Sequence, residues 1–407
     1  MVNRRRVVVT GLGVVSSIGI GKEAFWDGLL HGRSGISRIE RFDTSKYDVH
    51  IGGEVKDFNP ESFLDKGDAQ RFGRAAQFAI AAMRLGLKDA GLHPETLRGQ
   101  PVSVCLGTTM AESQAIEAFD DDVSVNAACT PTATSRYAMQ FPSCMIGAHA
   151  AAYFGFRGRV AMIPTACAAG NYAIAYASDM IRLRKCDIAL AGGVDAFSRY
   201  AFTGFHRMHA LSPDYCRPFD LNRKGTVVGE GAGLLILESF DRAVDRGAFP
   251  YAEVSGYGTN CDAHHMTIPT VEGIAEVMRR SLTDAEIPAS EIDYISAHGT
   301  GTLANDRAES AAILEIFGSG PAIPPVSSIK SMLGHTMGAA SALEAIACSL
   351  AIRDGQVPPT MNFQTPDPEC AVDCVPNVSR PHSVRAALNN SFAFGGNNAC
   401  VVLRKWS

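Results

Sequence analysis

"VAMIPTACAAGNYAIAYASDMIRLRKCDIALAGG", residues 160–193, reads as a strand, a helix and a second strand in direct succession. The apolar run from Val160 to Ile163 is of strand length and is closed by Pro164 and Thr165. From Ala166 to Lys185 the chain is rich in Ala, Ile and Tyr. It carries no charge before Asp179, so the helix it predicts is buried around most of its circumference. "DIALAGG" then returns as a strand of small and apolar residues. The same alternation extends in both directions. "RVVVTGLG" and "VSVCLGT" read as strands around the helix "QFAIAAMRLGLKDAG", which ends at Gly91. Further along, "EGAGLLILES", "YAEVSGYGTN", "IDYISAHG" and "PPVSSIK" are strands. They flank the helices "TVEGIAEVMRRSLTDAEI" and "GAASALEAIACSLAIRD", the latter with Gly355 just past its end. This pattern predicts an α/β protein with largely buried sheets.

Two strands open alike, "VVVTGLG" at 7–13 and "AEVSGYG" at 252–258. The likeness predicts two similar halves, 1–250 and 251–407, divided near "DRAVDRGAFP". No low-complexity linker separates them, so they are expected to pack as one body. The first of these openings also tests as a dinucleotide fingerprint. It fails on Ser16, which stands where the third glycine belongs, and on the missing acid about 20 residues on. Its glycines then read as a tight turn between strand and helix.

The chain has 407 residues, 46% hydrophobic and 19% charged, with a net charge of −5. It has no long basic block, which argues against nucleic acid as a partner. No stretch reads as membrane-spanning. Eleven scattered cysteines and no recognisable leader point to a reduced cytoplasm. Cys370 and Cys374 lack a second pair of ligands, so no metal site is expected.

Cys167 stands where a strand meets a helix, between Ala166, Ala168, Ala169 and Gly170. Taken alone it is readable either as a small buried hydrophobe or as a nucleophile. The junction favours reactivity. A helix start lowers a thiol pKa, and its free N–H groups can bind an oxyanion. His298 in "SAHGTGT" and His335 in "SSIKSMLGHTMGAAS" also follow strands in Gly-rich turns, where sites in α/β sheets gather. Lys330 lies five residues before His335; a strand-end lysine is otherwise a solvated one. One Cys with one His would suit a hydrolase. Two neutral imidazoles suit holding the enolate oxygen that a departing carboxylate leaves behind.

"TACAAG", "AHGTGT", "SSIKSMLGHTMGAASALEA" and "NNSFAFGGNNA" resemble, in order, the signature blocks of the beta-ketoacyl-acyl carrier protein synthases and the related polyketide ketosynthases. The likeness runs from about Val7 to Leu403. It implies a thiolase-like fold, two similar halves forming a five-layered αβαβα sandwich. The Cys-bearing half is 1–250 and the His-bearing half 251–407. It implies that Cys167 carries an acyl chain as a thioester. His298 and His335 would promote malonyl decarboxylation, Lys330 and Glu309 would orient them, and the amides of Cys167 and Phe394 would form an oxyanion hole. Glu309 reads equally as a helix-start capping acid. Thr300, Thr302 and Thr267 would contact the phosphopantetheine arm of the carrier, with no tightly bound cofactor. Phe392 and Phe394 would form a gate, and Met110, Met139 and Gln140 would shape the acyl pocket. The partner implied is an acidic acyl carrier protein, met by Lys66, Arg71 and Arg74, spaced along one predicted helix, and by Arg207. The assembly would be a homodimer, or a heterodimer with a paralogue. Departures such as Ala393 and Asn397 in the gate, and the "HGTGT" and "NDRAE" spellings, lean towards polyketide or polyene synthesis beside fatty-acid elongation. The competing reading is a catalytically silent, chain-length-factor-like partner, which the presence of Cys167 opposes.

Overall fold

A computed structural model describes residues 4–126, 131–320 and 323–406. Its first strand, β1 (Val7–Ser16), is buried along its whole length and runs straight through "TGLGVVS". The expected turn after the glycines is therefore not there. Gly11 and Gly13 serve close packing instead: a Cβ at Gly13 would lie 1.8 Å from the carbonyl oxygen of Ala82 on helix α1 (Arg74–Asp89). The glycines of the second opening do the same. In the strand Ala252–Cys261, a Cβ at Gly258 would lie 2.3 Å from the carbonyl oxygen of Val277 on its own covering helix.

In the large sheet the other long strands of the first half are β2 (Ser103–Gly107), β3 (Val160–Ile163), β4 (Ile188–Asp195) and β5 (Gly231–Ser239). Those of the second are β6 (Ala252–Cys261), β7 (Tyr294–Ser296), β8 (Val326–Ser327), β9 (Ala386–Phe392) and β10 (Asn397–Arg404). They lie in the order β3-β2-β4-β5-β1-β6-β10-β9-β7-β8, and a two-residue strand, Gly19–Ile20, hairpins onto β1. The two halves repeat one pattern. β2 runs parallel to β3 and β4, while β4–β5 and β5–β1 are antiparallel. In the second half β7 runs parallel to β8 and β9, while β9–β10 and β10–β6 are antiparallel. The halves meet where β1 pairs with β6, at Val8 opposite Glu253 and Val9 opposite Ala252.

Helices complete five layers. α1 and α2 (Cys144–Phe154) cover the outer face of the first half. α4 (Val271–Asp284) and α5 (Leu303–Phe317) cover that of the second. Between the sheets lie α3 (Ala169–Arg182) and α6 (Ala340–Asp354). The uncharged face of α3 is buried as its sequence predicts. α6 is buried on all sides from Ala340 to Ile352 and ends, as expected, at Gly355 in the left-handed conformation with φ 62°. This is the two-half, five-layered thiolase-like fold. Its two central helices begin at the site.

Candidate active site

Cys167 lies in a single 3-10 turn, Ala166–Ala168, between β3 and α3. Ala166 has φ 49°, a left-handed conformation that a small side chain tolerates best. The start of α6 is tied to the same place. The Asn171 N–H donates to Ser341 Oγ at 2.9 Å, and the hydroxyl of Ser391 on β9 donates to the Cys167 carbonyl at 2.9 Å. The backbone around Cys167 is thus held from both halves of the chain.

His335 Nε2 lies 3.1 Å from Cys167 Sγ. The backbone N–H of Met337 donates to His335 Nδ1 at 3.2 Å. A nitrogen that accepts cannot carry the proton of a neutral ring, so the proton sits on Nε2 and points at sulfur. The His298 ring stands beside it, centroids 5.5 Å apart and planes 83° to each other. Burial, reinforced by the Lys330 cation, holds both imidazoles well below their usual pKa, so both are neutral donors near pH 7.

Lys330 is not the solvated residue its position allows. It is 1% exposed, pairs with the equally buried Glu344, and donates to the His298 carbonyl at 2.6 Å. Glu309 is not a helix-start cap either. It lies in the second turn of α5 and faces backwards, accepting the N–H of His298 and of Gly299 at 2.8 Å each. Burial pushes its carboxyl up to about 7 despite those bonds.

The thiol itself departs from expectation. The amides of Phe394 and Cys167 and the Lys330 charge all favour the thiolate, as the helix-start argument requires. Complete burial outweighs them and pushes the Cys167 pKa up to about 12. At rest the sulfur is a thiol surrounded by donors, a place prepared for negative charge that is not yet there.

Cys167, His298, His335, Thr300, Thr302, Thr267, Phe392 and Phe394 line one pocket, together with Phe205 and Asn305. The Thr300 and Thr302 hydroxyls are 2.8 Å apart. Phe392 stacks edge-on to His298 at 5.8 Å, and Phe394 meets Phe205 at 5.8 Å. The pocket is narrow. The turn Phe394–Gly396 that closes it is bonded to a neighbouring loop. The Gly395 N–H donates to the Met266 carbonyl at 2.8 Å, and the Asp262 N–H to the Gly396 carbonyl at 2.9 Å.

Other expected residues lie elsewhere. Met110 packs behind the pocket, in an apolar cluster with Phe205, Met337 and Phe394. Met139 is exposed, and Gln140 donates its side-chain amide to the Arg71 carbonyl at 2.7 Å; neither lines the pocket. Lys66, Arg71 and Arg207 are exposed. Arg74 is not a surface cation: its guanidinium is bound to the fully buried Glu230 and to the Val55 carbonyl. The predicted helix through Lys66 and Arg74 is also broken, since a short helix Lys66–Arg71 ends before α1 begins. Two acids at the site escaped the sequence reading. Glu344 carried a usable signal, a single charge inside an apolar helix, which needs a buried partner. Asp195, at the end of β4, carried only its strand-end position.

The chain matches the N-terminal domain model of the beta-ketoacyl synthases over residues 4–243 and the C-terminal domain model over residues 251–364. The chain belongs to the beta-ketoacyl synthase family.

Among curated relatives this beta-ketoacyl synthase is 40% identical to nodulation protein E of Rhizobium sp. (strain N33), over 98% of this chain and 99% of that one. It is 38% identical to 3-oxoacyl-[acyl-carrier-protein] synthase 2 of Staphylococcus aureus (strain COL), over the whole of both chains. Two solved structures superpose closely. The ishigamide ketosynthase/chain length factor gives a TM-score of 0.95 at 46% identity, covering 99% of this chain and 100% of that one. A type II polyketide synthase acyl carrier protein in complex with its ketosynthase, bound to the hexaketide, gives 0.91 at 34% identity with the same coverage. A beta-ketoacyl synthase is an acyltransferase that forms carbon–carbon bonds by decarboxylative condensation, in fatty-acid or polyketide synthesis. A silent partner subunit is not the favoured reading. Among the described residues, no helix is long and apolar enough to cross a membrane.

Proposed function

We propose that Cys167 is the acyl-carrying nucleophile and that His298 and His335 are the decarboxylating pair. The observation that carries this reading is the His335 Nε2–H directed at Cys167 Sγ from 3.1 Å, with the second neutral imidazole beside it. The acyl thioester of a carrier's phosphopantetheine arm is attacked by sulfur. The new C–S bond forms, the carrier thiol leaves with the proton, and the oxyanion is held by the amides of Cys167 and Phe394. Malonyl carrier then enters past Thr300, Thr302 and Thr267. Its carboxylate departs as carbon dioxide, and the enolate oxygen takes hydrogen bonds from the two imidazoles. The enolate carbon attacks the acyl thioester, the C–S bond to Cys167 breaks, the chain leaves two carbons longer as a beta-ketoacyl product, and the released Cys167 thiolate takes a proton from solvent. Lys330, Glu344 and Glu309 position the imidazoles through the His298 backbone and do not touch substrate. The halves 1–250 and 251–407 divide the work, sulfur from one and imidazoles from the other.

The partner in this reading is an acidic carrier protein that delivers the arm, so no cofactor need be resident. Lys66, Arg71 and Arg207 are its proposed contacts, and a second ketosynthase-like subunit completes the assembly. The likeness to a ketosynthase/chain length factor and to a polyketide ketosynthase supports a specialised polyketide or polyene pathway in the cytoplasm. Intact-mass analysis with acyl carrier protein tests the nucleophile. The acyl mass should appear on the wild type and be absent from Cys167→Ala. Acylation persisting in that variant would overturn the assignment.

A further inference from the structure

Asp195, the last residue of β4, is a fully buried carboxylate. Among the described residues no cation pairs with it; four donors hold it instead. Oδ1 accepts the Thr108 hydroxyl at 2.7 Å and the Met110 N–H at 2.8 Å. Oδ2 accepts the Thr109 N–H at 2.7 Å and the Gly338 N–H at 2.7 Å. The first three belong to the loop after β2, and the fourth belongs to the turn that carries His335. The two segments approach closely there: a Cβ at Gly338 would lie 2.6 Å from Thr108 Cα and 2.7 Å from Asp195 Oδ2. One residue back, Met337 adopts φ 54° and gives its N–H to His335 Nδ1. Its side chain shares the apolar cluster of Met110, Phe205 and Phe394. Burying an ionisable acid is costly unless its bonds are filled. Here they are filled by three backbone N–H groups and one hydroxyl, all from the two segments just named.

We propose that Asp195 is a positioning residue that fixes the His335 turn against the Met110 loop, so that the imidazole is set in register with the wall along which the acyl chain lies. This rests on the assignment of Cys167 and His335 above. Asp195→Asn keeps the shape but replaces one acceptor oxygen by an NH2 that no N–H can bond, so in either orientation one side of the clamp between the two segments is lost. Gly338→Ala pries the same contact apart without altering the acid, and Thr108→Val removes one of the four donors to the acid together with the acceptor of the Ala111 N–H.

Two half-reactions are measured separately, with thermal melting alongside: acyl mass gained by Cys167 and carbon dioxide released from malonyl carrier. Decarboxylation by Asp195→Asn and Gly338→Ala is expected to fall on the order of 10²-fold, the loss that a displacement of about 1 Å causes. Thr108→Val should lose less. All three should still acylate Cys167, with an altered preference among chain lengths. If Asp195→Asn does not fold, the other two variants read the same split. Folded variants that keep decarboxylation, or that lose both half-reactions in equal proportion, would overturn the proposal. A wild type that neither acylates Cys167 nor releases carbon dioxide would instead strike at the site assignment itself.

Discussion

Lys330 Nζ bridges the carboxylate of Glu344 and the carbonyl oxygen of His298, with both charged side chains 1% exposed. The pair therefore links α6 to the strand-end turn that holds one of the two imidazoles. Removing one partner strands the other charge in the interior. Lys330→Met is expected to cost about 3–5 kcal/mol of stability, the usual penalty for breaking a buried pair. Adding Glu344→Gln should recover part of it. Urea unfolding of the single and double variants checks this; a single variant as stable as wild type would contradict it.

The pKa of Cys167, pushed up to about 12 by burial, fixes how the thiol responds to pH. Thiol is the neutral form, so the thiolate fraction is small at pH 7 and grows tenfold with each unit of pH up to that value. Alkylation by iodoacetamide should climb from pH 7 to 10 without a plateau. A plateau reached by about pH 9.5 would show an ordinary thiol, whose pKa is about 8.5.

The imidazoles respond in the opposite sense. Both pKa values lie well below 6.5, so both rings stay neutral as pH falls from 8 to 6. Decarboxylation of malonyl carrier should be flat across that range, with no inflection near 6.5. Replacing either histidine by alanine removes one donor to the enolate and should lower decarboxylation by roughly 10²–10³-fold. A bell-shaped profile centred on neutral pH would place an ordinary histidine in the rate.

Arg71 and Arg74 sit close in sequence but should behave differently. Arg71 is exposed, and Arg71→Glu is expected to raise KM for the carrier with kcat little changed. Arg74 serves Glu230, which is fully buried, and Arg74→Met should lower Tm whatever the substrate. Carrier titrations and melting curves of the two variants separate the roles. An unchanged KM for Arg71→Glu removes that residue from the docking surface.

The position of Cys167 was legible from its neighbours because a strand–helix junction is a local event, spelled by small residues and a change of period. The pairing of the two histidines was legible from their shared strand-end setting. What escaped depends on the far side of the fold. Whether Lys330 is solvated is decided by Glu344 on a helix that begins ten residues later, and whether Arg74 is free is decided by Glu230. The thiol's pKa was misjudged for a similar reason. The helix start is visible in sequence, but the burial that outweighs it is made by β9, α6 and the turn Phe394–Gly396. The Gly-x-Gly of β1 looked like a turn because its partner, α1, is contributed by residues 74–89.

The antiparallel seam between β1 and β6 carries one more implication. The sulfur stands in a turn of one repeat and both rings in turns of the other, so neither repeat holds the whole cluster. Severing the peptide in the surface connection near residue 247 and parting the pieces would leave one fragment with the thiol and another with the two imidazoles. Reactivity is a property of the join.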